Sequence, residues 1–301
     1  MSTSEPIRNH EATFVQNLKA KGESMATTFF GTTKHMNVIL TNQCNRNCLF
    51  CIAKKNTNKT KNSFLSLSNV EKAIEFCKQE DIKTIALTGV EPTLHPNILE
   101  IAKMFRSNGF DVAIYTNYDF SEKVKKLDGI VNRIFVSYYG QEMPRQADFE
   151  NSQIIITTLL LKNYFKTIAD LDDFIYKYRQ MACLLFTVPV NVNDYCEEQT
   201  CEFLEEISKG SYLPLTLPDG TIIQLYNGCP IKRTDLPKAF VQLDTYSYKM
   251  RLDGEISHFY TQGTENISKI QDVDLRNALL STHNPKTRRA IIDEFNSSSS
   301  K

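Results

Sequence analysis

Residues 36–51 read MNVILTNQCNRNCLFC. The first five, Met36 to Leu40, form an apolar run that stops at Thr41, which suits a strand buried on both faces of a parallel sheet. The rest sets Cys44, Cys48 and Cys51 in a C-x3-C-x2-C array. Three thiols so close together are poor core material and make an awkward loop unless they bind something. Thiolates ligate iron–sulfur clusters, which ordinarily take four cysteines. Three protein ligands on a four-iron cluster leave one iron open, much as a catalytic zinc keeps one position for substrate.

Beyond this stretch, helical and strand patterns alternate. KKNTNKTKNS reads as a solvated loop, and Ser66 or Ser68 can cap a helix to about Glu80 with Val70, Ala73, Ile74 and Cys77 on one face. Strands are predicted at Lys83 to Thr88, Asp111 to Thr116, Asn132 to Ser137, Gln153 to Leu161 and Cys183 to Val190. Helices are predicted at Pro96 to Asn108, closed by Gly109, at Phe120 to Leu127, at Ile168 to Met181 and at Glu197 to Lys209. Six apolar strands alternating with helices imply α/β units on a parallel sheet, short of the eight that close a full barrel. The expected architecture is a partial (β/α)6 parallel barrel, with ligands gathered at the C-terminal ends of its strands. The cysteine loop leaves the first strand at that end.

After Gly210 the pattern changes to hairpins turning at Asp219–Gly220 and Asp253–Gly254. The resulting division is an N-terminal extension over 1–35, a core over 36–210, a small β-rich hairpin cap over 211–262, and a C-terminal helix with a disordered tail over 263–301. The cap's tyrosines, Tyr212, Tyr226, Tyr246, Tyr248 and Tyr260, read as ordinary sheet packing.

Lysine plus arginine equals aspartate plus glutamate at 35 each, so nothing suggests a general grip on nucleic acid. No apolar run approaches the roughly 18 residues that cross a membrane, and MSTSEPIRNHEATF lacks the apolar stretch of a secretory signal. The expectation is a soluble cytoplasmic protein. Eight cysteines are too sparse for a disulfide scaffold of 301 residues. Five of them, Cys77, Cys183, Cys196, Cys201 and Cys229, are scattered and read as small buried hydrophobes.

A second motif, TGVEP over Thr88 to Pro92, ends the second predicted strand. Gly89 permits close backbone approach, Glu91 offers an acceptor suited to an ammonium group, and Pro92 stiffens the exit. Together with C-x3-C-x2-C about 40 residues earlier, and with Phe50 just before the last cysteine, it resembles the radical S-adenosylmethionine (SAM) superfamily. The resemblance spans roughly 36–209, and within it strands four to six read most like the GTP-cyclising enzyme of molybdenum-cofactor synthesis and its peptide-modifying relatives. One departure is Val90, where the family carries a second glycine. The sequel TLHP, Thr93 to Pro96, also looks like the family, and His95 in it reads as a structural or capping residue.

The resemblance implies an oxygen-sensitive [4Fe–4S] cluster on Cys44, Cys48 and Cys51, with SAM on the open iron. It implies cofactor contacts from Phe50, Gly89, Val90 and Glu91, and from the strand ends at Thr116, Asn117, Ser137, Thr157 and Val190. An external one-electron donor would drive reductive cleavage of SAM to a 5′-deoxyadenosyl radical that abstracts hydrogen from a substrate. The substrate is expected to be a small molecule or nucleotide, since little chain precedes the barrel to bind a leader peptide. Radical modification of a ribosomal peptide, by epimerisation or cross-linking, is the alternative, with Cys183, Cys196, Cys201 or Cys229 as hydrogen donor. One cysteine in Ser211 to Tyr260 cannot hold an auxiliary cluster. A rival of another class is a zinc-binding interaction module, in which His35 or Cys77 completes a tetrahedral site with the three loop cysteines.

Overall fold

The computed structural model describes residues 34–51, 64–188, 194–204, 207, 212–216, 221–227, 229–234 and 247–257. The first six strands are β1 (His35–Ile39), β2 (Thr84–Thr88), β3 (Asp111–Thr116), β4 (Arg133–Ser137), β5 (Gln153–Leu159) and β6 (Cys183–Thr187). They pair in sequence order, all parallel. The intervening helices are α1 (Leu67–Gln79), α2 (Ile98–Ser107), α3 (Ser121–Lys125), α4 (Ile168–Tyr178) and, after β6, α5 (Asp194–Gln199). The helix predicted over Glu197 to Lys209 begins earlier, at Asp194, and this stretch ends at Gln199.

The residues expected as a hairpin cap supply β7 (Tyr212–Thr216), β8 (Thr221–Tyr226), β9 (Cys229–Thr234), β10 (Ser247–Met250) and β11 (Ile256–Ser257). These continue the same sheet at both its edges, in the order β11-β10-β1-β2-β3-β4-β5-β6-β9-β8-β7. β10 lies parallel to β1 and β9 parallel to β6, so eight adjacent strands run the same way. An open parallel sheet leaves two unpaired edges, and pairing them removes exposed backbone donors and acceptors. Turn chemistry marks a hairpin but not the edge it will join. The predicted turn at Asp253–Gly254 does link β10 to antiparallel β11. The turn at Asp219–Gly220, the loop over 54–63, the extension over 1–33 and the segment over 263–301 lie outside the described residues.

Strand alternation sorts the side chains onto two faces. One face carries Met36, Val38, Ile85, Leu87, Val112, Ile114, Ile134, Val136, Ile154 and Ile156 and packs on the buried stripes of the helices. On α1 that stripe is Val70, Ala73, Ile74 and Cys77; on α2 it is Ile98, Ile101, Ala102 and Phe105. The Ser66 side chain accepts from Asn69 N to cap α1, as expected. The opposite face holds a smaller apolar cluster of Ala113, Phe135, Ile155, Cys183 and Leu185. Phe135 also stacks on Tyr115 at 4.3 Å between centroids.

The crossover from β4 to β5 has no α-helix among its described residues, only a 3-10 turn at Gln146–Asp148. Side chains stitch it instead. Asp128 accepts from the backbone N–H groups of Glu150, Asn151 and Ser152, and Gln146 Oε1 accepts from Ile154 N.

Candidate functional site: a three-cysteine loop held at the strand ends

The cysteine loop begins where β1 stops, and backbone bonds tie its base to the segment after β2. Leu40 N donates to Thr88 O at 2.9 Å, Val90 N to Thr41 O at 3.0 Å and Glu91 N to Gln43 O at 2.9 Å. These continue the strand ladder past the strands themselves. Gly89 makes the approach feasible: with φ near +133°, its missing Cβ would sit 2.6 Å from Thr41 O. The close neighbour of Gly89 is therefore the root of the cysteine loop.

Glu91 is buried, at 1% exposure, and four donors hold its carboxylate. Oε1 accepts from Thr93 N (3.1 Å), Thr93 Oγ1 (2.6 Å) and Thr116 Oγ1 (2.8 Å), and Oε2 accepts from Asn117 N (2.7 Å). Thus Thr116 and Asn117, expected as polar strand-end residues, fix the orientation of Glu91. Asn117 also donates through Nδ2 to Asn45 Oδ1 at 2.8 Å, which joins this network to the loop.

Farther along the loop, Asn45 Nδ2 and Arg46 Nε donate to Asp119 Oδ2, the latter at 2.6 Å, and the Arg46 Nη2 donates to Oδ1. The Arg46–Asp119 pair is a two-pronged ion pair, with each side chain about a quarter exposed. Hydrogen bonds from Arg46 hold the Asp119 carboxyl below its ordinary range, against partial burial. The Arg46 guanidinium lies 4.7 Å over the Tyr139 ring. Phe50 stacks on that ring, 5.6 Å between centroids, and meets Tyr164 edge-on at 6.3 Å. Each end of the loop is thus held by a different strand terminus.

Cys44 is exposed, while Cys48 and Cys51 are half-buried, and none of the three is in a disulfide. Burial raises the Cys44 thiol above its ordinary value, while the Arg46 backbone N–H, 3.3 Å from Sγ, favours the thiolate. Glu91, Cys51 and Asp119 add to the rise by their charge. Such a neighbourhood of thiols and carboxylates favours a cationic occupant and gives up a proton when one binds. Among the described residues no three His, Cys, Asp or Glu side chains are set to hold a single metal ion. In a four-iron cluster each thiolate serves a different iron, so the ligands need not converge on one point. The donor set fits such a cluster. The loop is flanked by an open cleft of about 410 Å³ lined by Arg46, Cys48, Phe50, Tyr139, Tyr164 and Tyr195 among others.

His35 and Cys77 stand far from the loop. His35 opens β1, and at about 3.3 Å per residue the strand sets it about 20 Å from Thr41. Cys77 Sγ lies 3.6 Å from Met36 Sδ at that same far end. Neither can complete a tetrahedral site with the loop thiols. His95 serves a packing role: Asn97 N donates to its Nδ1, so Nε2 carries the proton and donates to Leu65 O at 2.9 Å.

The remaining expected site residues are scattered. Ser137 and Thr157 are register partners on β4 and β5, with their hydroxyls 3.5 Å apart. Val190 lies outside the described residues. Cys196 is buried with Sγ 4.0 Å from Phe50 O, next to the loop. Cys201 donates to Phe165 O, Cys183 begins β6 in the small apolar cluster, and Cys229 begins β9, where burial pushes its thiol up to about 12. Asn45, Arg46, Asp119, Tyr139 and Tyr164 were not singled out from sequence. The available signal was Arg46, the one cation of the stretch 41–51, with Asp119 three residues past the end of β3.

A parallel α/β sheet thus feeds a three-thiol loop from its first strand and sets a buried carboxylate beside it from the second. Residues 38–138, about a third of the chain, match the family model described as Radical SAM superfamily. It is 28% identical over 96 residues to a "Probable GTP 3',8-cyclase" of Pyrococcus horikoshii, covering 31% of this chain and 30% of that protein. A protein of the same description from Saccharolobus islandicus is 32% identical over 121 residues, 38% of each chain. The chain thus spans about a third of the length of the curated relatives it matches. Among solved structures it is similar to Streptococcus suis SuiB bound to S-adenosylmethionine. That likeness has 14% identity and a TM-score of 0.46 over 59% of this chain and 45% of the other. It is also similar to BtrN in complex with AdoMet and 2-DOIA, at 19% identity and a TM-score of 0.35 over 41% and 56% of the two chains. No described helix is long and apolar enough to cross a membrane.

Proposed function

We propose that this chain is a radical SAM enzyme acting on a small-molecule or nucleotide substrate. The observation that carries the reading is the single network joining the cysteine loop to Glu91. Asn45 bridges to Asn117, whose backbone N–H holds the carboxylate. When bound, a [4Fe–4S] cluster with SAM supplies an electron that cleaves SAM to a 5′-deoxyadenosyl radical, which abstracts hydrogen from substrate. Cys44, Cys48 and Cys51 would hold that cluster. Glu91, held in one orientation by Thr93, Thr116 and Asn117, would be the acceptor for the ammonium group of SAM. Phe50 and Tyr139 offer ring faces beside the loop.

The matched relatives named as GTP 3',8-cyclases support a nucleotide or small molecule over a peptide. Cysteines outside disulfides suit a reducing compartment such as the cytoplasm, and an external one-electron donor is required. The test is anaerobic reconstitution of the cluster, then addition of SAM and dithionite with a search for 5′-deoxyadenosine. Cleavage is expected. A protein carrying its full cluster that leaves SAM intact overturns the reading.

A further inference from the structure

β10 contributes more than a covered edge. Its residues alternate: Tyr248 and Met250 are buried on the helix-facing side, where Tyr248 packs on Phe76 of α1. Lys249 therefore points to the opposite face, beside its register partner Asn37. Arg251 follows at a spacing of two, and extending the register by one step sets it next to Ile39. Because β10 runs parallel to β1, Arg251 lies at the strand end from which the cysteine loop departs. The turn after it is pinned there: Asn69 Nδ2 donates to Leu252 O, Lys72 Nζ donates to Gly254 O at 2.8 Å, and both belong to the first turns of α1.

The two cations share this wall. Burial holds the Lys249 amine below its ordinary value, and the charge of Arg251 adds to the depression. Arg251 spends Nη1 on Glu255 Oε2 at 3.0 Å, yet its Nε is buried without a hydrogen-bond partner among the described residues. The other inward cation, Arg133, opens β4 at the strand end opposite the cysteine loop, where it pairs with Asp111 at 2.6 Å, and its Nε is likewise buried without a hydrogen-bond partner among the described residues. Two like charges beside one buried, unspent N–H form a receptor for an oxyanion, since a guanidinium edge fits carboxylate and phosphate.

We propose that Lys249 and Arg251 form the anion-binding wall of the substrate site, and that the substrate carries a phosphate or carboxylate that lies against β10. The proposal rests on the radical SAM reading only in taking the loop end of the sheet as the site.

Its test reads binding rather than turnover. The reconstituted protein is titrated by calorimetry with inorganic tripolyphosphate, with tricarballylate and with SAM. Wild type is expected to bind one of the two anions, the preferred one naming the substrate group as phosphate or carboxylate. Lys249→Gln and Arg251→Gln should each weaken that anion by about tenfold or more while shifting SAM affinity by less than about twofold. Acylation footprinting of Lys249 in the unaltered protein adds a measurement immune to misfolding, and the bound anion should protect it. Equal anion binding by wild type and both variants, no binding by wild type, or unprotected Lys249 overturns the proposal. So does a parallel loss of SAM affinity, which would make the pair a reader of the SAM carboxylate. A protein that binds the anion but does not cleave SAM sinks the proposed function and leaves the anion wall standing.

Discussion

Replacing Gly89 with alanine tests whether the cysteine loop is truly seated on the second strand's exit. The added Cβ would lie 2.6 Å from Thr41 O and 3.0 Å from Thr41 N, and backbone atoms cannot rotate aside. Overpacking of this kind costs about 1–3 kcal/mol, and a non-glycine residue held at φ near +133° adds about 1–3 kcal/mol. A total near 4 kcal/mol is therefore expected. An unfolding entropy of about 2.1 cal/mol/K per residue gives about 0.6 kcal/mol/K for 301 residues, so Tm should fall by about 6 °C. Gly109→Ala is the control, since its φ is also positive but a Cβ there meets nothing within 4 Å. Calorimetric unfolding of both variants separates the clash from the backbone strain, and iron content after reconstitution reports on the loop. Iron should drop in Gly89→Ala and not in Gly109→Ala. If Gly89→Ala is no less stable than the control and holds as much iron, the seating described above is wrong.

Two further outcomes follow from the charges. Asp119→Asn removes one side of a partly exposed pair and should cost no more than about 1 kcal/mol at neutral pH. Because Arg46 holds the Asp119 carboxyl below its ordinary range, the pair's contribution is present above that range and is lost as pH falls. Urea midpoints of wild type and variant should therefore converge as pH is taken from about 6 towards 3. A gap that persists at low pH would refute the assignment. His95 is harder to protonate folded than unfolded, because burial disfavours its charged form. The unfolded chain then binds more protons below about 6.5, so stability is full above that pH and falls below it. His95→Gln should flatten the decline between about pH 7 and 5.5, and identical slopes would refute it.

The parallel strands and helices were legible because their apolar periods are strong, as in β3, where Asp111 to Thr116 matches residue for residue. The cysteine array and Glu91 were legible because their chemistry is dense in sequence. The clamp was not, since Arg46 and Asp119 lie 73 residues apart and meet only once β1 and β3 are set in one sheet. The same holds for Phe50 and Tyr139, whose stacking depends on a crossover stitched by Gln146 and Asp128 rather than by a helix. Gly89 was read as room for a ligand. Its nearest neighbour is the Thr41 backbone, which sequence spacing cannot reveal.

The pairing of β10 with β1 bears on how the chain is made. His35 aligns with Ser247, so one edge of β1 finds this partner only after more than 200 further residues have left the ribosome. Until then the strand that launches the cysteine loop exposes unpaired backbone, the kind of surface on which nascent chains associate wrongly. Loop closure over such a span is slow. A chain interrupted before Ser247 would thus carry a cysteine loop rooted on an open edge, which makes synthesis of β10 the step that protects the loop end of the sheet.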